Sequence, residues 1–208
     1  MTPDRTLPAK CSKCSKPLNT PLLCDYCQTL NLPPGVTDHF QFLGLPRRFD
    51  IDEGALHDRY VALSRHSHPD FHVADPSAVQ ALAATVSSAV NEAFRVLSDP
   101  VRRAGYLLEL LGGPSSALDK SVPDSFLETM MMMREELAEA QARGSRDDLS
   151  RLFAVLRTQH DGLVHRLTGL FVELEQAVPC EATRQETLHE IRRQLNAIAY
   201  VKKMMSQM

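Results

Sequence analysis

The sequence predicts an all-α protein in which a four-helix domain and a three-helix bundle follow a small cysteine-containing segment. Apolar residues recur three and four positions apart through most of the chain, as in amphipathic helices, and the alternation typical of strands is missing. Two segments rich in proline and glycine, Pro33-Pro34-Gly35 and Gly112-Gly113-Pro114, interrupt this pattern and mark domain boundaries. We therefore expect three domains, over residues 1–36, 37–112 and 113–208.

Four of the five cysteines lie near the N-terminus, as Cys11, Cys14, Cys24 and Cys27, whereas Cys180 stands alone. Two C-x2-C pairs at this separation indicate a tetrathiolate site, and four thiolates suit tetrahedral zinc. A segment of roughly 36 residues cannot bury a core of its own, so we expect structural metal to hold it as a knuckle. Two disulfides or a thioredoxin-like motif fit poorly in a cytosolic chain without a βαβ unit. An iron site or a labile redox pair is the remaining alternative to zinc.

The domain over residues 37–112 is expected to contain four helices. Asp52 is a candidate N-cap for the second helix, whose Leu56, Tyr60 and Leu63 fall on one face. The third helix begins near Pro76, because proline is tolerated in a first helical turn. The four expected helices are 38–44, a segment from Asp52 to about His66, a segment from about Pro76 to Leu97, and 101–111.

The domain over residues 113–208 is expected to form three helices. They cover about 123–143, 145–177 and 181–206, with breaks at Gly144-Ser145 and Pro179. Short connections favour antiparallel neighbours, so the sequence predicts an antiparallel bundle.

The first helix of this bundle carries more apolar surface than its packing requires. Its expected core stripe consists of Phe126, Met130, Met133 and Leu137. A second apolar set lies farther round the helix and consists of Leu127, Met131 and Met132, edged by Glu128, Glu135 and Glu139. An apolar patch edged by carboxylates indicates a protein-binding surface, and methionine is an adaptable residue for one. A wide core stripe is the alternative.

A loop between the second and third expected helices carries the tripeptide His68-Pro69-Asp70. The proline stiffens the turn and removes an amide donor, while the histidine and the aspartate present a donor and an acceptor in fixed relation. Alone, such a tripeptide fits an ordinary polar turn. Together with the nearby His66, His72 and Asp75, it also permits an alternative, a metal site with an open coordination position.

The surroundings of the tripeptide are more specific than the tripeptide itself. They comprise HFQFLGLPRRFDID (39–52), SRHSHPDFH (64–72), NEAFRVLSDPVRRAGYLLELLG (91–112) and SFLETMMMMREELAEA (125–140). With these segments, residues 37–111 resemble a J-domain, and the whole chain resembles the HscB-type J-domain co-chaperones of iron–sulfur cluster assembly. The resemblance covers both larger domains, and the tetracysteine segment resembles an extension found on some, chiefly eukaryotic, members.

The resemblance implies that the loop engages the ATP-bound state of a DnaK-type (HscA-like) chaperone and triggers ATP hydrolysis there. The residues implied to bind the chaperone are His68, Pro69, Asp70, Arg59 and Arg65. Relatives usually carry a basic residue directly after the tripeptide, whereas this chain has Phe71.

The resemblance also implies that the methionine-rich helix binds an IscU-type iron–sulfur cluster scaffold. The implied contacts are Leu127, Glu128, Met131, Met132, Glu135 and Tyr200, with Glu139 at the margin. The expected function is then a co-chaperone that recruits the chaperone to the scaffold, stimulates its ATPase and promotes cluster transfer to target proteins, with no catalytic residue of its own. A general J-protein for unfolded clients and a zinc or redox protein are the alternatives.

The charge and hydropathy of the chain exclude other classes. The net charge of −3, from 23 basic and 26 acidic residues, argues against a protein that coats nucleic acid. No apolar run is long enough to span a membrane, and the N-terminus lacks the apolar stretch of a secretory signal. We expect a protein of the bacterial cytoplasm, with a processed form of the mitochondrial matrix as the alternative.

Overall fold

The computed structural model describes residues 10–18, 22–24, 26–31, 38–176 and 180–208. Within these ranges the chain forms seven α-helices and one 3-10 helix, and the sole strand-like feature is an antiparallel bridge between Leu23 and Leu30. The all-α prediction is therefore confirmed. The helices are α1 (His39–Phe42), α2 (Glu53–Ser67), α3 (Ser77–Leu97), α4 (Pro100–Leu110), α5 (Phe126–Arg143), α6 (Arg146–Gln176) and α7 (Glu181–Met205), with the 3-10 helix at Pro69–His72.

Backbone contacts divide the chain into two units, Met1–Arg103 and Ala104–Met208. The division falls inside α4. The predicted breaks at Pro33-Pro34-Gly35 and Pro179 lie outside the described residues. None of the described helices combines the length and the apolar character that crossing a membrane requires.

The first unit is organised around α3, which packs against α1, α2 and the 3-10 helix. Asp52 caps α2, as predicted, because its side chain accepts a hydrogen bond from the backbone N–H of Ala55 at 3.0 Å. The helix ends at Ser67, since His68 is extended and precedes a proline, which disfavours helical backbone. The fully buried core includes Phe40, Leu43, Leu56, Val86, Val90, Ala93 and Leu97.

The second unit is a three-helix bundle in which α6 packs along α7, and α5 packs on both. One buried cluster of its core consists of Met130, Leu137, Leu152, Leu156, Val201 and Met204, with Phe126 and Met133 partly buried against it. The predicted core stripe of the methionine-rich helix is therefore confirmed. The predicted break between α5 and α6 is also present, because Gly144 adopts a left-handed φ of 63° that ends α5.

Side chains of α7 hold the segment that precedes α5. The guanidinium of Arg192 is buried and donates to the carbonyl of Pro114 at 2.8 Å, and burial lowers its pKa. The amide of Asn196 donates to the carbonyls of Asp119 and Ser121 at 3.0 and 2.8 Å. These bonds satisfy backbone acceptors that a loop would otherwise leave to water, so they fix the approach of the chain to α5.

Candidate functional site

The four N-terminal cysteines form one compact group. Their sulfur atoms all lie within 4.8 Å of one another, with Cys11 and Cys27 at 3.6 Å and Cys14 and Cys24 at 3.5 Å. The two C-x2-C segments fold alike, since the N–H of the fourth residue after each leading cysteine donates to the carbonyl of that cysteine, at 3.0 and 2.9 Å. Those residues, Ser15 and Gln28, both have a φ near +60°. Two matching turns thus direct four sulfurs at one point.

Asn31 joins the two cysteine turns. It is only 4% exposed, and its Oδ1 accepts from the backbone N–H and the hydroxyl of Ser12, both at 2.9 Å. Its Nδ2 donates to the carbonyl of Thr29 at 2.8 Å and lies 3.9 Å from the Cys11 sulfur. Outer hydrogen bonds of this kind orient metal ligands. Asn31 is not among the site residues predicted from the sequence, and its one available signal there is its position four residues after Cys27.

The thiols of the tetracysteine group have different pKa values because their surroundings differ. The backbone N–H groups of Cys14 and Lys13 lower the pKa of the Cys11 thiol to about 6. The hydroxyl and the N–H of Thr29 lower the pKa of Cys27. The N–H of Lys16 acts in the same direction on Cys14, but burial and the adjoining thiols outweigh it and raise the pKa of Cys14 to about 12.

All five cysteines are free thiols. A closed group of four sulfurs fits a tetrahedral metal ion and leaves no coordination position for a substrate.

The tripeptide His68-Pro69-Asp70 is exposed at the start of the 3-10 helix. The Nδ1 atom of His68 accepts a hydrogen bond from the backbone N–H of Asp70 at 3.2 Å. In the neutral ring this bond places the proton on Nε2, which remains a donor for a partner. The ring of Phe71 lies edge-on to that of His68, with the centroids 6.1 Å apart.

The alternative of a metal site at the histidine-rich loop is wrong. Both ring nitrogens of His72 already have partners, since Nδ1 lies 2.7 Å from an oxygen of Asp75 and Nε2 lies 2.8 Å from the carbonyl oxygen of His66. Within the described part of the chain, the tetracysteine group is the one set of three or more ligand side chains close enough to hold a metal. The spacing of the histidines reflects a hydrogen-bonded loop instead.

The two arginines expected to meet a chaperone differ in their surroundings. Arg59 is half-buried, and its guanidinium donates to the carbonyl of Leu43 at 3.3 Å, so it also ties α2 to the end of α1. Arg65, in the last turn of α2, is exposed. The basic surface on α2 is therefore narrow.

The apolar patch on α5 faces solvent. Leu127, Met131 and Met132 are 53%, 64% and 58% exposed, so they lie outside the bundle core and the alternative of a wide core stripe is wrong. Glu128, Glu135 and Glu139 are exposed beside them. Tyr200 of α7 is half-buried, and its ring packs edge-to-face on Phe126 with the centroids 5.9 Å apart. Large apolar side chains exposed together indicate an interaction surface.

A helical unit that presents an exposed His-Pro-Asp loop before its longest helix defines the chain as a J-domain protein. The family model for the DnaJ domain matches residues 38–106, and the model for the HSCB C-terminal oligomerisation domain matches residues 122–207. The chain belongs to the HscB co-chaperone family.

Curated relatives show the same membership. The chain is 38% identical over 133 residues to the co-chaperone protein HscB homolog of Ralstonia nicotianae, an alignment that covers 64% of this chain and 76% of the relative. It is 41% identical over 142 residues to the homolog of an Azoarcus species, covering 67% and 78%.

Solved structures give the same fold. The crystal structure of human co-chaperone protein HscB superposes with a TM-score of 0.74 at 23% identity and covers 95% of both chains. The chaperone HscB from Vibrio cholerae superposes with a TM-score of 0.60 at 23% identity and covers 82% of this chain and 99% of the other. At this identity the likeness establishes the fold.

Proposed function

We propose that the chain is a J-protein co-chaperone that binds an IscU-type iron–sulfur cluster scaffold and recruits a DnaK-type chaperone to it. It stimulates the ATPase of that chaperone and promotes transfer of the cluster to target proteins. The cluster is the transferred cargo and not a cofactor of this chain. The observation that carries the proposal is the presence of two exposed, chemically different surfaces in one chain of the HscB co-chaperone family: the His-Pro-Asp loop and the apolar patch on α5. The bacterial relatives support a cytoplasmic protein.

The loop is suited to act on a partner enzyme. Its polar groups are exposed and are held by a proline and by the local hydrogen bond between Asp70 and His68, so little conformational entropy is lost when it docks. A loop that binds the hydrolysis-competent state of the chaperone better than other states shifts the chaperone toward hydrolysis. The catalytic groups for ATP hydrolysis belong to the chaperone, and this chain supplies none. Arg59 and Arg65 add a modest, salt-sensitive attraction.

The α5 patch is suited to hold a folded scaffold. Leu127, Met131, Met132 and Tyr200 supply the apolar centre, and Glu128, Glu135 and Glu139 supply a polar rim. Burial of two or three such side chains supplies roughly 1.5–3 kcal/mol each before association costs, enough for a specific interface of small area. The three domains of the proposal are the knuckle over 1–36, the J-domain over 37–112 and the scaffold-binding bundle over 113–208.

The experiment that tests this function measures the steady-state ATPase rate of the cognate DnaK-type chaperone in four mixtures. These are the chaperone alone, with this chain, with the scaffold, and with both. We expect the chain to stimulate hydrolysis by itself and the scaffold to increase that stimulation synergistically. Stimulation that the scaffold does not change would support a general J-protein for unfolded clients, and no stimulation in any mixture would contradict both functions.

The tetracysteine group is proposed to hold one structural zinc ion. Replacing Asn31 with alanine is expected to weaken zinc binding by about tenfold, because outer-shell partners of metal ligands typically contribute 10–100-fold in affinity. Competition with a chromophoric chelator measures the affinity. Removal of the metal is expected to unfold the knuckle, which amide exchange of residues 10–31 would report.

The matched control for this prediction is Lys13→Ala. The backbone N–H of Lys13, which replacement of its side chain retains, lies 3.4 Å from the Cys11 sulfur. Equal zinc affinity in Asn31→Ala and the wild type would contradict the role of Asn31, and a purified chain without bound zinc would contradict the metal assignment.

A further inference from the structure

The ring of His72 links two elements beside the His-Pro-Asp loop. Its Nε2 lies 2.8 Å from the carbonyl oxygen of His66, in the last turn of α2, and its Nδ1 lies 2.7 Å from Oδ2 of Asp75, beyond the 3-10 helix. Both partners are hydrogen-bond acceptors. A neutral imidazole donates from one nitrogen only, so both bonds can form together only when the ring is an imidazolium.

The His72 side chain is largely buried in an otherwise exposed segment. The side chain of His72 is 16% exposed, whereas Phe71 and Val73 on either side of it are 71% and 73% exposed. The amide of Gln80, on α3, donates to the carbonyls of Val73 and Asp75 at 3.1 and 2.8 Å. The loop is thus held from α2 through His72 and from α3 through Gln80.

The charges around the ring favour its protonated form. Among the described residues, the charged group that faces it is the carboxylate of Asp75, while α2 contributes the carbonyl of His66. The side chain of Gln80 on α3, which binds the carbonyls of Val73 and Asp75, is neutral. The hydrogen bond to the His66 carbonyl, followed by the hydrogen bond and charge of Asp75, raises the pKa of His72 above its usual value.

We propose that His72, as an imidazolium, is a positioning residue that clips the segment 68–75 to α2 and thereby presents the tripeptide and Phe71 to the chaperone. This inference rests on the proposed function. Because the pKa of His72 is higher in the folded than in the unfolded chain, the clip contributes its full stability below the unfolded value, about 6.5, and loses it as the pH rises through the folded value. Stimulation of the chaperone is therefore expected to fall as the pH rises above about 6.5.

The first test compares the pH profiles of ATPase stimulation for the wild type, His72→Gln and His165→Gln. His165 is an exposed histidine of α6 and controls for removal of an imidazole and for the pH dependence of the chaperone itself. We expect wild-type stimulation to fall by about threefold between about pH 6 and pH 8.5. The profile of His165→Gln should match that of the wild type. Stimulation by His72→Gln should be low and should change little with pH. Superimposable profiles for His72→Gln and the wild type would overturn the clip.

The second test needs no partner. NMR titration of the His72 ring in the full chain should give a pKa above the ordinary value, and Asp75→Asn should lower it. A His72 ring that titrates at or below the ordinary value, or an Asp75→Asn variant that leaves it unchanged, would overturn the proposal. His68-dependent stimulation with no contribution from His72 would refute the clip alone, whereas absence of stimulation by the wild type would refute the proposed function as well.

Discussion

Replacing Leu127, Met131 and Tyr200 together with alanine is expected to weaken binding of the scaffold by at least about 100-fold, which corresponds to about 2.8 kcal/mol. The three side chains form the apolar centre of the α5 patch, and removing each from an interface typically costs between 1 and 3 kcal/mol, although such losses do not add strictly. Isothermal titration calorimetry of the full chain with the purified scaffold measures the change.

The controls for this triple substitution separate lost contacts from lost folding. Phe153 and Val172 of α6 are also exposed apolar residues but lie outside the patch, so their double alanine variant should bind the scaffold normally. Tyr200 also packs on Phe126. The variant Tyr200→Phe keeps that ring contact and tests whether the hydroxyl takes part. Scaffold binding within threefold of the wild type by a folded triple variant would contradict the assignment of the patch.

The patch variant should retain its action on the chaperone. Its His-Pro-Asp loop is unchanged, so stimulation without scaffold is expected to equal that of the wild type, and the synergy with scaffold is expected to disappear. A general J-protein that used the same patch for unfolded clients would lose binding to many apolar peptides in the same variant. Competition between such peptides and the scaffold distinguishes these two functions.

The helices of the protein could be predicted from its sequence because their signals are local. Asp52 caps α2 where the sequence placed it, and Gly144 ends α5. The start of α5 was predicted at about residue 123 and lies at Phe126, because Ser125 adopts a left-handed φ of 59° that the sequence did not indicate. Which side of α5 faces solvent also followed from its helical periodicity, since Met130 is buried and Met131 is exposed.

The contacts of side chains with backbone groups could not be predicted from the sequence. The sequence predicted correctly that His66, His72 and Asp75 lie close together. It suggested a metal site, however, whereas His72 contacts the backbone carbonyl of His66 and not its imidazole. Every residue carries a backbone carbonyl, so the sequence could not indicate this contact. The role of Asn31 could not be predicted for the same reason, since its partners include the backbone of Ser12 and of Thr29. Such contacts depend on how the chain folds back on itself, and residue identity alone does not encode them.

Replacing His68 with glutamine is expected to reduce stimulation of the chaperone ATPase at least about tenfold, with or without scaffold, which corresponds to about 1.4 kcal/mol of preferential binding to the hydrolysis-competent state. The imidazole accepts from the Asp70 N–H through Nδ1 and keeps Nε2 as a donor on the opposite side of a rigid ring. Glutamine retains polarity but cannot hold both groups in that relation. Single-turnover ATP hydrolysis by the chaperone measures the loss.

Because His68 is exposed, the same substitution should leave folding and scaffold affinity unchanged. The chain then binds the scaffold without recruiting active chaperone, so an excess of His68→Gln should inhibit wild-type stimulation in mixtures that contain scaffold. This inhibition requires both surfaces to act in one molecule, and adding the triple patch substitution to His68→Gln should abolish it. Stimulation by His68→Gln within twofold of the wild type would contradict the role of the loop, and inhibition that survives loss of the patch would show that the two surfaces are not coupled through the scaffold.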